Sequence, residues 1–139
     1  MRVVLDTVIF VRALINPKGR WGRLLFKLSD RYVTVLSPEI IREILSVIYR
    51  PTLRQRFPQM TEPPYLERVL ALLEEAEVVE PQEKLTICRD PADDKFFQCA
   101  LAGGAEFIVT EDKDILAVGE YQTVRSISAA DFIARLSSE

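Results

Sequence analysis

The feature that most constrains this chain is its first ten residues, Met1-Arg2-Val3-Val4-Leu5-Asp6-Thr7-Val8-Ile9-Phe10. Val3-Val4-Leu5 is apolar without alternation and stops at once on a carboxylate. A β-branched run of this kind reads as a strand covered on both faces, the habit of parallel sheets. It calls for helices on two sides. It also puts Asp6 at the carboxyl end of the strand, where open α/β sheets bind ligands. The strand is expected in the middle of the fold, with no signal peptide, tag or disordered lead ahead of it. Alone, Asp6 reads equally well as a turn or helix N-cap residue. Its meaning depends on partners further along.

The rest of the chain alternates between the two periodicities. Val8 to Leu14 suits a short helix under the sheet, broken by Asn16-Pro17-Lys18-Gly19. Trp21 to Leu28 is helical, and Tyr32 to Leu36 is a second strand. Ser37-Pro38 opens a helix with an N-cap and a proline at its first position, and Pro51 ends it. Ile40, Ile41, Ile44, Leu45, Val47 and Ile48 form its apolar arc, with Glu43 half buried on the border. A proline-rich connection follows, then an amphipathic helix from Tyr65 to Ala76 and a short strand at Glu77 to Glu80. Arg89-Asp90-Pro91-Ala92-Asp93-Asp94-Lys95 opens the next helix, which Gly103-Gly104 stops. Acids in that first turn favour the helix dipole, and for Asp90 that role suffices. Asp94 projects beside Leu101, at the edge of the buried side. Phe107-Ile108-Val109-Thr110 is a further buried strand, ending on Glu111-Asp112-Lys113-Asp114. Thr123-Val124-Arg125 is a last strand, and Ser128 to Asp131 caps a closing helix. The expectation is one α/β domain over residues 1–139, three layers deep, with a mainly parallel central sheet of four to five strands.

Composition removes several classes of chemistry. There is no histidine, which excludes Ser-His-Asp and Cys-His machinery and imidazole-dependent zinc sites. Cys88 and Cys99 match no metal or redox spacing, so free thiols in a reducing cytoplasm are expected. No apolar run approaches the roughly 18 residues of a membrane span. The net charge of −3 is unevenly spread: residues 1–60 hold eleven Lys/Arg against four Asp/Glu, a net +7, and residues 61–139 seven against seventeen, a net −10. Such a basic half suits an anionic partner or a counter-charged protein, with Arg20, Arg23 and Lys27 as candidate contacts to a polyphosphate backbone. Solvated helix faces explain the same charges equally well.

Asp6, Glu43, Asp94 and Asp112 come from four different elements. If the fold gathers them, like charges cannot all stay ionised unaided, and protonation or a cation must resolve the conflict. Oxygen-only ligands suit Mg²⁺ or Mn²⁺, which activate water and clamp phosphate in phosphodiester hydrolysis.

At these residues the chain resembles the PIN-domain family, of the kind found as the toxin of toxin–antitoxin pairs. The resemblance runs almost end to end. It rests on Val4-Leu5-Asp6-Thr7, on Glu43, on Asp90 to Phe96, and on Ile108 to Leu116. It implies a small α/β/α ribonuclease using one or two Mg²⁺ or Mn²⁺ ions. The family's acids fall on Asp6, Glu43, Asp94 and Asp112, with Asp114 as a fifth and the hydroxyls of Thr7 and Thr110 beside them. A homodimer and an antitoxin partner are implied too. One departure stands out: the family usually reads Asp-Thr-Asn at its start, and position 8 here is Val. That leaves open a catalytically impaired RNA-binding or protein-interaction module. A phosphatase of the haloacid-dehalogenase type fits worse, because it wants a second Asp where Val8 stands.

Overall fold

The computed structural model describes residues 1–138. Strand β1 (Arg2–Leu5) pairs in parallel with β2 (Val33–Leu36) on one side and with β4 (Phe107–Val109) on the other. Beyond β2 lies β3 (Glu77–Val78). Beyond β4 lies β6 (Val124–Ile127), also parallel, and β5 (Glu120–Tyr121) closes that edge antiparallel. The sheet therefore has the order β3-β2-β1-β4-β6-β5. It holds one strand more than the pattern predicts, and β1 is central as expected. Val3, Val4, Leu5 and all of β4 are buried, the consequence of helices flanking both faces.

The helices are α1 (Thr7–Ile15), α2 (Arg20–Phe26), α3 (Pro38–Ile48), α4 (Pro51–Arg56), α5 (Pro63–Glu75), α6 (Asp94–Gly103), α7 (Lys113–Val118) and α8 (Ala129–Ser137). Ser37 caps α3 by accepting from the Ile40 N–H at 3.3 Å, with Pro38 at the first helical position. Ile40, Ile44 and Ile48 then bury one stripe of that helix completely. Each is worth about 1.5–3 kcal/mol of apolar burial, so Ile44→Ala would cost about 2–5 kcal/mol. Gly103 and Gly104 end α6 for separate reasons. A Cβ on Gly103 would meet Val35 Cγ1 at 2.4 Å, so a bare backbone lets α6 lie against β2. Gly104 takes the left-handed φ of 64° that closes the helix.

Both cysteines are free and buried. Among the described residues no helix is long and apolar enough to cross a membrane.

β1 reaches β2 on one side and β4 on the other, so the chain reverses its direction of travel across the sheet at β1. A crevice opens at the carboxyl ends of strands flanking such a reversal. The register Leu5↔Val109 brings the ends of β1 and β4 level. The residues that follow them, Asp6 and Thr110, are thereby neighbours in space.

Candidate active site

The crevice is a cavity of about 600 Å³, lined on its acidic side by Asp6, Glu43, Asp93, Glu111 and Asp112. Arg12, Arg50 and Lys113 also line it, and Val8, Val11, Val47, Leu53 and Phe96 supply apolar wall.

Asp6 leaves the sheet tied to β4: its N–H donates to the Val109 carbonyl at 2.9 Å. The residue is 7% exposed, and its Oδ2 accepts from the Thr110 hydroxyl at 2.6 Å. The Thr110 oxygen in turn accepts from the Asp112 N–H at 3.0 Å, so one buried hydroxyl fastens both strand-end acids. Asp112 caps α7, its Oδ1 accepting from the Asp114 and Ile115 N–H groups at 2.8 and 3.1 Å. Here the capping and cavity roles coincide in one carboxylate.

Glu43 is half buried as expected. The Thr7 hydroxyl donates to its Oε2, and the Lys95 ammonium pairs with its Oε1 at 2.9 Å. Lys95 is itself buried, donating also to the Ala92 carbonyl and lying 4.9 Å from the Phe96 ring centroid. A lysine thus sits inside the acid cluster, against Glu43.

The sequence picked Asp94, which is absent from the cavity lining. Asp94 is 5% exposed, and its Oδ1 accepts from the N–H groups of Ile87 and Cys88 at 3.1 and 2.7 Å. Asp94, Gln98 and Leu101 do share a face, as the helical phase predicts. That face is covered by segment 85–88, whose Leu85 N–H donates to Gln98 Oε1 at 2.9 Å. The neighbouring carboxylate, Asp93, lines the cavity instead, beside Phe96 three residues on. Asp90 behaves as its cap reading requires, accepting from the Ala92 N–H at 3.0 Å. Asp114 lies outside the cavity lining, and it is its backbone N–H that serves Asp112.

The electrostatics agree with a crowded acidic site. Burial raises the Asp6 pKa above its ordinary value, and the charges of Glu43 and Asp112 add to the rise. The Thr110 hydroxyl and the Val8 backbone N–H pull the other way. Asp93 is pushed up to about 6, by burial first and then by Asp112, Asp90 and Asp6, with Lys95 opposing. Cys88, behind Asp94, is raised to about 12, chiefly by burial, and is no nucleophile near neutrality.

The donor chemistry fits a hard divalent cation. The cavity's acidic groups are carboxylates from four separate stretches of the chain, with neither thiolate nor imidazole among them. The strain among Asp6, Asp93 and Asp112 is of the kind a cation relieves. The side chains as placed form no finished cage: among the described residues, no three acids are grouped closely enough to hold one ion. Glu43, with both oxygens engaged by Thr7 and Lys95, is one reason.

Of the cations expected to meet a phosphate backbone, Arg20, Arg23 and Lys27 lie outside this cavity. Its basic wall is Arg12, Arg50 and Lys113. Arg12 is held with its guanidinium 5.0 Å from the Trp21 ring centroid. Trp21 Nε1–H donates to Glu111 Oε1 at 3.4 Å, and the same oxygen accepts from the Ala129 N–H at 3.1 Å. Glu111 thereby ties the end of β4 to α2 and α8.

Residues 2–114 match the family model of the PIN domain. Over 119 residues the chain is 33% identical to an uncharacterized protein of Methanocaldococcus jannaschii, a match covering 85% of this chain and 75% of that one. Among solved structures, PAE2754 from Pyrobaculum aerophilum is similar with a TM-score of 0.59 at 14% identity, over 100% of this chain and 97% of that one. A chain of VapBC2 from Rickettsia felis, bound to a DNA fragment from their promoter, gives 0.57 at 16% identity, over 92% and 98%. At these identities the two structures speak for the fold alone.

Proposed function

The chain belongs to the PIN domain family, and from that premise we propose that it is a divalent-metal-dependent ribonuclease. One observation carries the reading: Asp6, Glu43, Asp93 and Asp112, from four separate elements, line one cavity that also holds Arg12, Arg50 and Lys113. Acids surrounded by cations suit a phosphodiester, which is anionic itself and needs its charge neutralised as a nucleophile approaches.

In this reading Asp6, Asp93 and Asp112 would hold Mg²⁺ or Mn²⁺, their side chains closing on the ion as it binds. Such an ion, when bound, supplies an activated water and charge neutralisation at the phosphate. Thr110 fixes Asp6 and Asp112 relative to one another through its hydroxyl. Lys95 and Thr7 fix the Glu43 carboxylate at the cavity wall, where it orients the attacking water or accepts its proton. Arg12 and Arg50 hold the flanking phosphates, and Val11, Val47 and Leu53 keep part of the wall dry.

The reading extends to partners. A second copy of the chain makes the homodimer, and an antitoxin seated over the cavity would make the protein a toxin, as its resemblance in fold to a chain of VapBC2 invites.

The test is single-turnover cleavage of single-stranded RNA with and without Mn²⁺. The wild type should cut only with the ion, and Asp6→Asn should lose cleavage while keeping its fold. A fully active Asp6→Asn protein, or a wild type inert with both Mg²⁺ and Mn²⁺, would sink the proposal. Val8, which lines the cavity where the family usually carries an amide, favours the second reading of an impaired RNA-binding module. An inert wild type that still binds RNA is the outcome that reading expects.

A further inference from the structure

The basic residues of α2 that miss the acidic cavity are not scattered. Arg12, on the cavity wall, and Arg20 both lie against the Trp21 ring, at 5.0 and 5.7 Å from its centroid. Arg20 then lines a second concavity together with Lys18 and Arg23. Lys18 and Arg23 in turn line a third, of about 670 Å³, whose remaining walls include Lys27, Phe26 and Tyr65. The three concavities form a chain in which each link shares a residue, or a tryptophan ring, with the next.

Two properties of this surface are independent of one another. The first is charge. Neither of the two outer concavities has an acid in its lining, and among the described residues Lys18, Arg20, Arg23 and Lys27 form no ion pair with a carboxylate. The second is aromatic. Phe26 and Tyr65 meet with ring centroids 5.3 Å apart and planes at 43°, both partly exposed. They form a small apolar floor between cations. Cations that follow a backbone, ending at aromatic faces, are the chemistry of single-strand nucleic-acid binding. A duplex keeps its bases stacked on each other and has no use for such a floor. Both rings pack against the core on one side, and an acidic protein segment would use the cations without needing their exposed faces.

We propose that the concavity of Lys18, Arg23, Phe26, Lys27 and Tyr65 is a second nucleotide subsite, where a base of a single-stranded RNA stacks while its backbone runs along α2 to the acidic cavity. The inference rests on the ribonuclease reading for its ligand. Its own content is the track and the aromatic end station. The acidic cavity selects a phosphodiester, and the subsite adds a demand for unpaired bases at a distance from the cut.

The experiment uses the full chain carrying Asp6→Asn, so that bound RNA survives, and reads fluorescence anisotropy. The probes are a labelled uridine trinucleotide and a strand of about twelve nucleotides. The long strand should bind tighter than the trinucleotide, and Tyr65→Leu should cut that advantage about five- to tenfold, the effect of one lost stacking partner. A separate variant, Lys18→Ala with Arg23→Ala and Lys27→Ala, changes only exposed side chains. It should reduce the log–log salt slope for the long strand by about two units, at about 0.7 per phosphate contact. The track is refuted if the length advantage is absent, or if both variants leave it and the slope unchanged. Should that happen while the wild type still cuts RNA with Mn²⁺, the subsite falls and the ribonuclease stands. Should neither binding nor cleavage be found, both fall together.

Discussion

Asp93 and Asp94 are adjacent carboxylates in different surroundings, and substituting each by Ala tests the roles proposed for them. Asp94 accepts two backbone N–H groups on one oxygen and is 5% exposed. Hydrogen bonds to a charged acceptor are worth about 1.5–3 kcal/mol each, and the Ile87 and Cys88 donors would lose theirs. Removing the carboxylate also removes its own desolvation cost, which offsets part of the loss. Asp94→Ala should therefore destabilise by about 2–4 kcal/mol, a fall in Tm of about 8–15 °C for a chain of this size. Among the described residues Asp93 makes no side-chain capping bond, and it is held against like charges. Asp93→Ala should leave stability within about 1 kcal/mol, on the stabilising side, and lower Mn²⁺-dependent cleavage by about a hundredfold or more. The assay is thermal unfolding by circular dichroism beside single-turnover cleavage of a quenched fluorescent RNA, both on the same preparations. An active Asp93→Ala protein, with an inactive Asp94→Ala protein of unchanged Tm, would refute the assignment and return the site to Asp94.

Three further outcomes follow from the same geometry. Asp6 and Asp93 have folded-state pKa values above their ordinary 3.8, so their contribution to stability is fully present below that value and lost as pH rises, for Asp93 through about 6. The Tm difference between wild type and Asp93→Asn should thus change across about pH 4 to 7, and saturating Mn²⁺ should cancel the change; a pH-independent difference would show that Asp93 is not strained. Lys95→Met keeps the stem on Phe96 but frees Glu43, whose side chain is 35% exposed; with water able to reach Glu43, the loss should be about 1–2 kcal/mol rather than that of a fully dry pair, and calorimetry should show tighter Mn²⁺ binding because the cavity gains a negative charge. Val8 is partly exposed on the cavity wall, so Val8→Asn should cost little stability and raise cleavage about ten- to a hundredfold through one added hydrogen bond; a destabilised variant with no gain would make Val8 a packing residue only.

The sequence was most legible where a pattern has one physical solution. Val3-Val4-Leu5 and Phe107 to Val109, apolar without alternation, had to be covered on both faces, and their register brought Asp6 and Thr110 together. Ser37-Pro38 left little choice about where α3 begins, and the apolar arc put Glu43 at its border. Other features depend on what covers what. The phase of α6 grouped Asp94 with Leu101 correctly, but phase does not say that segment 85–88 lies over that face. β5 escaped because its hairpin turns through Gln122 and Thr123, with Gln122 at a φ of 53°, and carries none of the Asn-Gly or Asp-Gly signals of such turns. Lys95 was hidden in a run of charges, where a lysine reads as solvated until Glu43 is seen across from it. Counting cations in residues 1–60 found a basic surface without showing that Arg12 and Arg50, rather than Arg20, Arg23 and Lys27, face the acids.

The hydroxyl that steadies Asp6 comes from Thr110, 104 positions further along the chain. During synthesis Asp6 emerges about a hundred residues ahead of β4, which completes the flank of β1. Contacts of such span close slowly, because chain entropy is given up before the contact rewards it. A chain halted short of residue 107 has β1 open on one side, no Thr110 and no Asp112, hence no gathered acids. On the proposed reading, then, no cutting site exists until β4 and the residues after it have joined β1.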